Sequence, residues 1–283
     1  MPLCPPSEKP QPDKSASPVP NYFAEASVAA RYRHARPFYH PQVVQWLCRE
    51  SGCDRFTQVL DVGCGAGHST VALASVAERV TGIDAAQEML QHAAASPGVS
   101  YRVGRAESLD FADAQFDLVT VASALHWFDQ PRFYAECRRV LAPRGSLLVY
   151  NDHFTAHAPS VPDVKRWMRT SFARRYPRPK RGMRDFDEAA AQAGGFRVVR
   201  CGSFEHLVSF TRQEFIAYLL TRSNTLAQVK CGRETADLAA QWMDAELAAV
   251  LPGTQCAEFL FKCNLWLLRM QEPGADAPPP AIP

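Results

Sequence analysis

The chain has 283 residues, 47% of them hydrophobic, and a formal net charge of +2. That length can bury one large core, and a nearly balanced charge provides no global field for nucleic acid or a membrane surface. No uninterrupted apolar run is long enough to cross a bilayer, and the first twenty residues, with seven prolines, lack the hydrophobic stretch of a secretion signal. The nine cysteines are odd in number and contain no Cys-x-x-Cys pair. They read as reduced thiols of a cytoplasmic protein rather than a disulfide or zinc framework. Asp152-His153-x-x-x-His157 lacks a third ligand and an apolar helical face, so no metal is expected there.

Residues 1–20 and 271–283, rich in proline, read as disordered tails around one domain over 21–270. Within it, Val59 to Val62 is a short buried strand that ends in glycines. A helix is expected over His68 to Ala77, a strand over Arg79 to Ile83, a helix over Ala86 to Ala95, and strands over Val99 to Val103 and Phe116 to Ala122. Pro131 to Leu141 opens with the proline that suits a helix start, and Ser146 to Tyr150 is a fifth strand. Short β-branched runs alternating with helical stretches imply a parallel sheet covered on both faces, hence a doubly wound α/β core. After Tyr150 the rhythm breaks, and a cap insert is expected over about 152–195. A helix over Asp185 to Ala193 closes on Gly194-Gly195, followed by a strand over Phe196 to Cys201. Thr211 and Glu214 form a capping box for a helix that runs to Arg222. A helix over Glu234 to Val250 and a last strand over Cys256 to Met270 complete an α/β, Rossmann-like fold. Its sheet is seven-stranded and mostly parallel, with helices on both faces and the cap after the fifth strand.

The strongest local signal is Leu60-Asp61-Val62-Gly63-Cys64-Gly65-Ala66-Gly67. Glycines directly after a buried strand let the backbone turn sharply and approach a ligand closely. Asp84 lies twenty-one residues past Gly63 at the end of the second strand, placed to accept from both hydroxyls of a ribose. A dinucleotide loop wants a third glycine where His68 stands, and there is no Gly-Lys-Ser/Thr ending for a triphosphate. A ligand with a ribose and no phosphate fits best, and S-adenosylmethionine is such a ligand.

The run Val59 to Gly67 resembles the first motif of class I methyltransferases of the type 11 group. Gly82-Ile83-Asp84 with Met89-Leu90, then Ala106-Glu107, Phe116 to Val119, Ala124 to Phe128 and Arg139 to Gly145, are similar to their later motifs in the same order. Tyr32-x-x-x-Arg36-Pro37 and His126-Trp127-Phe128 look most like the trans-aconitate methyltransferase subgroup. The match spans about 22–150. It implies S-adenosylmethionine as cofactor, with Gly63, Cys64 and Gly65 under its methionine part and Asp61 reaching the ammonium. It also implies Asp84 on the ribose, Ala106 and Glu107 beside adenine, and Ser123 closing the pocket. Arg105 departs from the acid often found before Ala106. The segment holding Tyr22, Tyr32 and Arg36 would fold over the cofactor. Arg36 would either pair with the cofactor carboxylate or be a surface residue.

Methyl transfer from a sulfonium needs mainly positioning and a dry pocket. His126, after the fourth strand, is the candidate base, or with Trp127 simply pocket wall. Nine Lys or Arg residues lie within 165–184. They are a solvated lid, an anion-recognition face or a nucleic-acid contact. On the second reading, Arg166 and Arg169 beside Trp167 bind an acidic substrate. The function implied is methylation of a small molecule, including O-methylation of a carboxylate. An RNA or protein methyltransferase and a non-catalytic cofactor-binding protein are the alternatives, nucleic acid being disfavoured for want of an RNA-binding module.

Overall fold

In a computed structural model, residues 23, 25–179, 186–252 and 256–271 are described. Both expected tails fall outside them apart from Gln271, as do Tyr22, Lys180, Arg181 and Arg184. The elements in chain order begin with two helices, α1 (Ala26–Ala35) and α2 (His40–Ser51). The first βα units are β1 (Phe56–Val62), α3 (His68–Leu73), β2 (Ala77–Asp84), α4 (Gln87–Gln91) and β3 (Val99–Val103). Next come β4 (Phe116–Ala122), α5 (Gln130–Val140) and β5 (Leu141–His157). One helical rod then holds α6 (Asp163–Trp167), a π-turn over Met168–Phe172 and α7 (Ala173–Arg175). The last elements are α8 (Glu188–Ala193), β6 (Phe196–Phe210), α9 (Arg212–Leu220), α10 (Ser223–Lys230), α11 (Ala236–Leu247) and β7 (Ala257–Met270).

The seven strands form one sheet in the order β3-β2-β1-β4-β5-β7-β6. Pairings among β1 to β5 are parallel, whereas β7 runs antiparallel between β5 and β6. Successive side chains of each strand serve opposite faces. Leu60, Val62, Val119, Val121, Leu147 and Val149 meet α5 and α8 on one face. Val59, Leu118, Leu148 and Tyr150 meet α2 and α3 on the other. The chain reverses its winding between β1 and β4, which opens a crevice at the carboxyl edge of the strands.

Several boundaries differ from the sequence expectation for identifiable reasons. The third helix stops at Leu73 because Ala77 already pairs with Phe56 in the sheet. The fourth stops at Gln91: Arg33 Nη1 donates to the His92 carbonyl at 2.8 Å and the Tyr101 hydroxyl to that of Ala94 at 2.9 Å, so side chains take up the carbonyls that end it. The Thr211–Glu214 capping box is present as expected. The largest difference is at the expected cap. The fifth strand does not end at Tyr150 but continues to His157, and the sixth runs on to Phe210. With β7 they form a long antiparallel ribbon past the parallel sheet. Phe154, Phe210, Phe259 and Phe261 on it pack against α6, α9 and α11 as a further core.

Candidate functional site

Gly63, Gly65 and Gly67 turn the chain from β1 into α3 with φ of 71°, 55° and 79°, the left-handed region that side chains disfavour. The Gly63 and Cys64 amides donate to the Ile83 carbonyl at 2.8 and 3.0 Å, which pins the loop to the end of β2. Asp84 fixes its far side: Oδ2 accepts from the Gly65 amide at 2.9 Å and Oδ1 from the Ala86 amide at 2.8 Å. Burial pushes the Asp84 carboxyl above its ordinary range, and the Ala86 and Gly65 amides partly offset that.

In front of this loop opens a cavity of about 1060 Å³. Gly63, Gly65, Asp84, Ala106 and Glu107 border one part of it, and Ser123, His126, Trp127 and Arg36 border it further on. Nine of the sequence-predicted site residues therefore meet at one crevice. Ser123 has a φ of 51°, uncommon for a residue with a side chain. Its amide donates to the Tyr150 carbonyl at 2.8 Å, and its Oγ accepts from the Asp152 amide at 3.2 Å. Strain of this kind persists where surrounding structure over-determines it, often at functional sites. His126 and Trp127 sit on the short turn Leu125–Trp127 with ring centres 4.7 Å apart. Arg105 forms an ion pair with Glu107 at 3.3 Å, and Glu107 also accepts from the Asp129 amide at 3.1 Å.

Arg36 follows α1. Its Nη2 donates to the Thr221 carbonyl at 3.0 Å, and its guanidinium lies over Tyr32 at 4.7 Å and Tyr218 at 5.3 Å. Its Nε is buried with no partner. A buried donor left open at a cavity wall is the kind of group a bound anion completes.

Four expected residues lie elsewhere. Asp61 is fully buried behind the loop, where Oδ2 accepts from Ser69 at 2.6 Å and Thr70 at 2.7 Å, and Oδ1 from Thr120 at 2.8 Å. These three hydroxyls occupy the carboxylate that was expected to reach the cofactor ammonium. Cys64 turns its thiol away from the main cavity and packs near Gly82 of β2. Arg166 is 77% exposed and paired with Asp163 at 3.1 Å. Arg169 is likewise exposed. Both fall outside the cavity because the helix turns Trp167 inward, onto Trp242 and Phe172, which leaves its basic neighbours on the outer face.

Other residues border the cavity that the sequence did not assign to the site: Arg132, Asp152, Arg178, Tyr218, Arg222 and Trp266. Asp152 was legible in principle, since it stands two residues beyond the end of the fifth expected strand, on the edge where α/β sheets bind ligands. Arg178 belonged to the basic run within 165–184, and the other four have no local signal. Asp152 of the suggested metal pattern bonds to His206, and among the described residues no group of three or more His, Cys, Asp or Glu could hold a metal.

Comparison with known proteins agrees with the geometry. Residues 60–149 match the methyltransferase domain family Methyltransf_11. A Dictyostelium discoideum protein named as a methyltransferase is 34% identical over 140 residues, 48% of this chain and 52% of its own length. An uncharacterized methyltransferase of Schizosaccharomyces pombe is 35% identical over 125 residues, 43% of this chain and 50% of its own. The chain thus spans about half the length of the curated relatives it matches. A solved structure from Anaeromyxobacter dehalogenans, named as a type II methyltransferase, superposes with a TM-score of 0.61 at 22% identity, over 83% of this chain and 97% of that one. A Haemonchus contortus phosphoethanolamine N-methyltransferase, solved with phosphomonomethylethanolamine and S-adenosylhomocysteine, superposes with a TM-score of 0.52 at 17% identity, over 89% of this chain and 60% of that one. At these identities the superpositions speak for the fold. With the glycine loop and Asp84 where they stand, residues 60–149 are thus similar to the methyltransferase domain family.

Proposed function

We propose that this protein transfers a methyl group from S-adenosylmethionine to a small organic acid. The observation that carries the reading is a continuous cavity of about 1060 Å³ that runs from the glycine loop to the ribbon. Ligand sites typically hold about 300–1,000 Å³, so this one has room for a cofactor and a second small molecule. The residues present fit the cofactor. Gly63 has no space for a side chain, since a Cβ there would lie 2.7 Å from that of Ala124. Asp84 would receive the ribose hydroxyls, Ala106 and Glu107 would border the adenine, and the open Nε of Arg36 suits the terminal carboxylate. The bound cofactor supplies a methyl group already activated on sulfur. The protein's part is to hold an acceptor in line and exclude water. His126 and Trp127 form part of the wall that does so.

The arrangement of charge favours a small molecule over RNA. Arg166 is paired with Asp163, Arg175 with Glu234 at 2.7 Å, and neither borders the cavity. Arg178 and Arg222 do border it. The Arg222 Nε is buried without a partner, and Arg178 makes no ion pair among the described residues. The likeness to the trans-aconitate subgroup fits an acidic substrate of this kind.

Calorimetry with S-adenosylhomocysteine tests the cofactor site. Asp84→Ala is expected to weaken binding by about 1–3 kcal/mol, the scale of charge-assisted hydrogen bonds. Absence of binding to wild type, or equal binding of NAD, would defeat the reading. The acid-binding role makes a separate prediction once a substrate is in hand. Arg178→Ala should raise KM about 10- to 100-fold, as loss of a hydrogen-bonded charge does. Arg166→Ala should leave it nearly unchanged, because exposed ion pairs contribute little. Steady-state kinetics that reverse this order would move the substrate onto α6.

A further inference from the structure

Asp152 combines four properties that the cofactor does not explain. It lies two residues beyond Tyr150 on β5, its amide held by the Ser123 hydroxyl at 3.2 Å, and it borders the cavity that also reaches Gly63 and Gly65. Its side chain is only 6% exposed. Its Oδ1 accepts from His206 Nε2 at 2.9 Å, while Oδ2 accepts from no described group. His206, on β6, is itself 9% exposed and caged by rings: Tyr39 stacks on it at 5.5 Å, with Phe261 at 5.6 Å and Phe204 at 5.9 Å. A buried carboxylate held by one oxygen and open at the other, at the wall of a ligand cavity, is built to take a proton. Its surroundings act in both directions. Burial pushes its carboxyl above the ordinary value, and His206, His153 and Arg36 pull it back down. Tyr39 and Cys263 face it as well.

Resting on the methyltransferase reading above, we propose that Asp152 is the catalytic base, with His206 as its positioning residue. The acceptor atom of the substrate is then a hydroxyl oxygen or an amine nitrogen, not a carboxylate oxygen. A carboxylate has no proton to lose and gives a base nothing to do. In the step itself, a lone pair of the acceptor atom forms the bond to the methyl carbon. The carbon–sulfur bond breaks with its electron pair remaining on sulfur. The acceptor's proton passes to Asp152 Oδ2 and leaves to solvent after product release. The Arg178 and Arg222 side would hold the acid group of the same molecule. The sequence offered His126 as a candidate base or as pocket wall, and it sits half-buried on a turn beside Trp127.

The test uses the full chain with labelled S-adenosylmethionine and three probe classes: hydroxybenzoates, aminobenzoates and benzoates. Products are identified by mass spectrometry, and S-adenosylhomocysteine binding is measured in parallel. Wild type is expected to give a methyl ether or N-methyl product, at a rate that rises with pH as Asp152 ionises and then levels. Asp152→Asn should lower kcat about 10²–10⁴-fold, abolish that acid limb and leave S-adenosylhomocysteine affinity unchanged. Asp152→Glu should recover part of the rate, and His206→Gln should shift the acid limb. The assignment is overturned by methyl ester as the product, by full turnover in Asp152→Asn, or by an acid limb that survives there and vanishes in His126→Ala. It is also overturned if Asp152→Asn loses cofactor affinity, which would make Asp152 a cofactor ligand. Failure of wild type to bind S-adenosylhomocysteine sinks the methyltransferase reading itself. Binding without turnover of any hydroxyl or amino probe sinks only the base.

Discussion

Asp61→Ala is expected to cost about 3–5 kcal/mol of folding stability, since it leaves three buried hydroxyls unsatisfied at about 1–3 kcal/mol each, and with it much of a typical total of about 5–15 kcal/mol. The carboxylate is fully buried and accepts from Ser69, Thr70 and Thr120, which are themselves buried. Those three hydroxyls lie on α3 and β4, so Asp61 ties its own strand β1 to both neighbours. Removing it strands three buried donors at once, each without water to replace the acceptor. Asp61→Asn keeps one acceptor oxygen and should lose less. Urea unfolding measures the stability, and calorimetry with S-adenosylhomocysteine measures the site. A variant that folds as well as wild type but binds the cofactor poorly would return Asp61 to the ammonium contact that the sequence implied.

Gly63→Ala should lower affinity for S-adenosylhomocysteine about 100-fold, or roughly 2.7 kcal/mol. Two costs add. The φ of 71° disfavours any side chain, by about 1–3 kcal/mol. The new Cβ would lie 2.7 Å from Ala124 Cβ and 3.0 Å from Phe128 Cζ, and overpacking of a core contact costs about 1–3 kcal/mol more. Ala124 is backbone-anchored beside β4 and Phe128 packs on the core, so neither can swing aside cheaply. Gly65→Ala is the internal control. Its Cβ would meet only the flexible end of Met89 at 3.1 Å, so its loss should be smaller. Equal losses at the two positions, read by calorimetry, would mean that backbone strain alone matters and that the crowding at Ala124 does not.

The half of the fold that was legible is the half whose signals are local. The buried strands around Val59 to Val62 and Phe116 to Ala122, the glycine turn and Asp84 each announce themselves within a few residues, and the structure assembles them as expected. The rest depends on partners far away in the chain. Nothing near Tyr150 says that its strand continues to His157, because that continuation is held by β7, more than a hundred residues later. The polar, basic stretch read as a cap insert begins as ribbon, to His157, and continues as helix. Helices α1, α2 and α10 escaped notice for a related reason. Their apolar faces are short, and packing against tertiary neighbours makes up the difference. The arginines show the limit most sharply. A linear charge run is blind to which face a helix presents, so Trp167 turning inward moved Arg166 and Arg169 outward. Arg178, after Pro177 had ended the helix, could return to the cavity.

The ribbon has a mechanical consequence. β5 runs eight residues past Val149, the position level with the end of β1, so at about 3.3 Å per residue it projects roughly 25 Å farther. Its hydrogen-bonded ladder to β7 crosses from the cofactor side to the aromatic core without a loop, interrupted only by the bulge between Phe154 and His157. A beam of this kind resists bending where a linker would flex. The two sides of the crevice are spliced, not hinged, and the chain has no joint in this ladder about which the wall holding Asp152 could swing away from the glycine loop. The residues that border the crevice from outside this ladder, Arg36 after α1 and Tyr218 of α9, therefore face a floor that is one continuous run of paired strand.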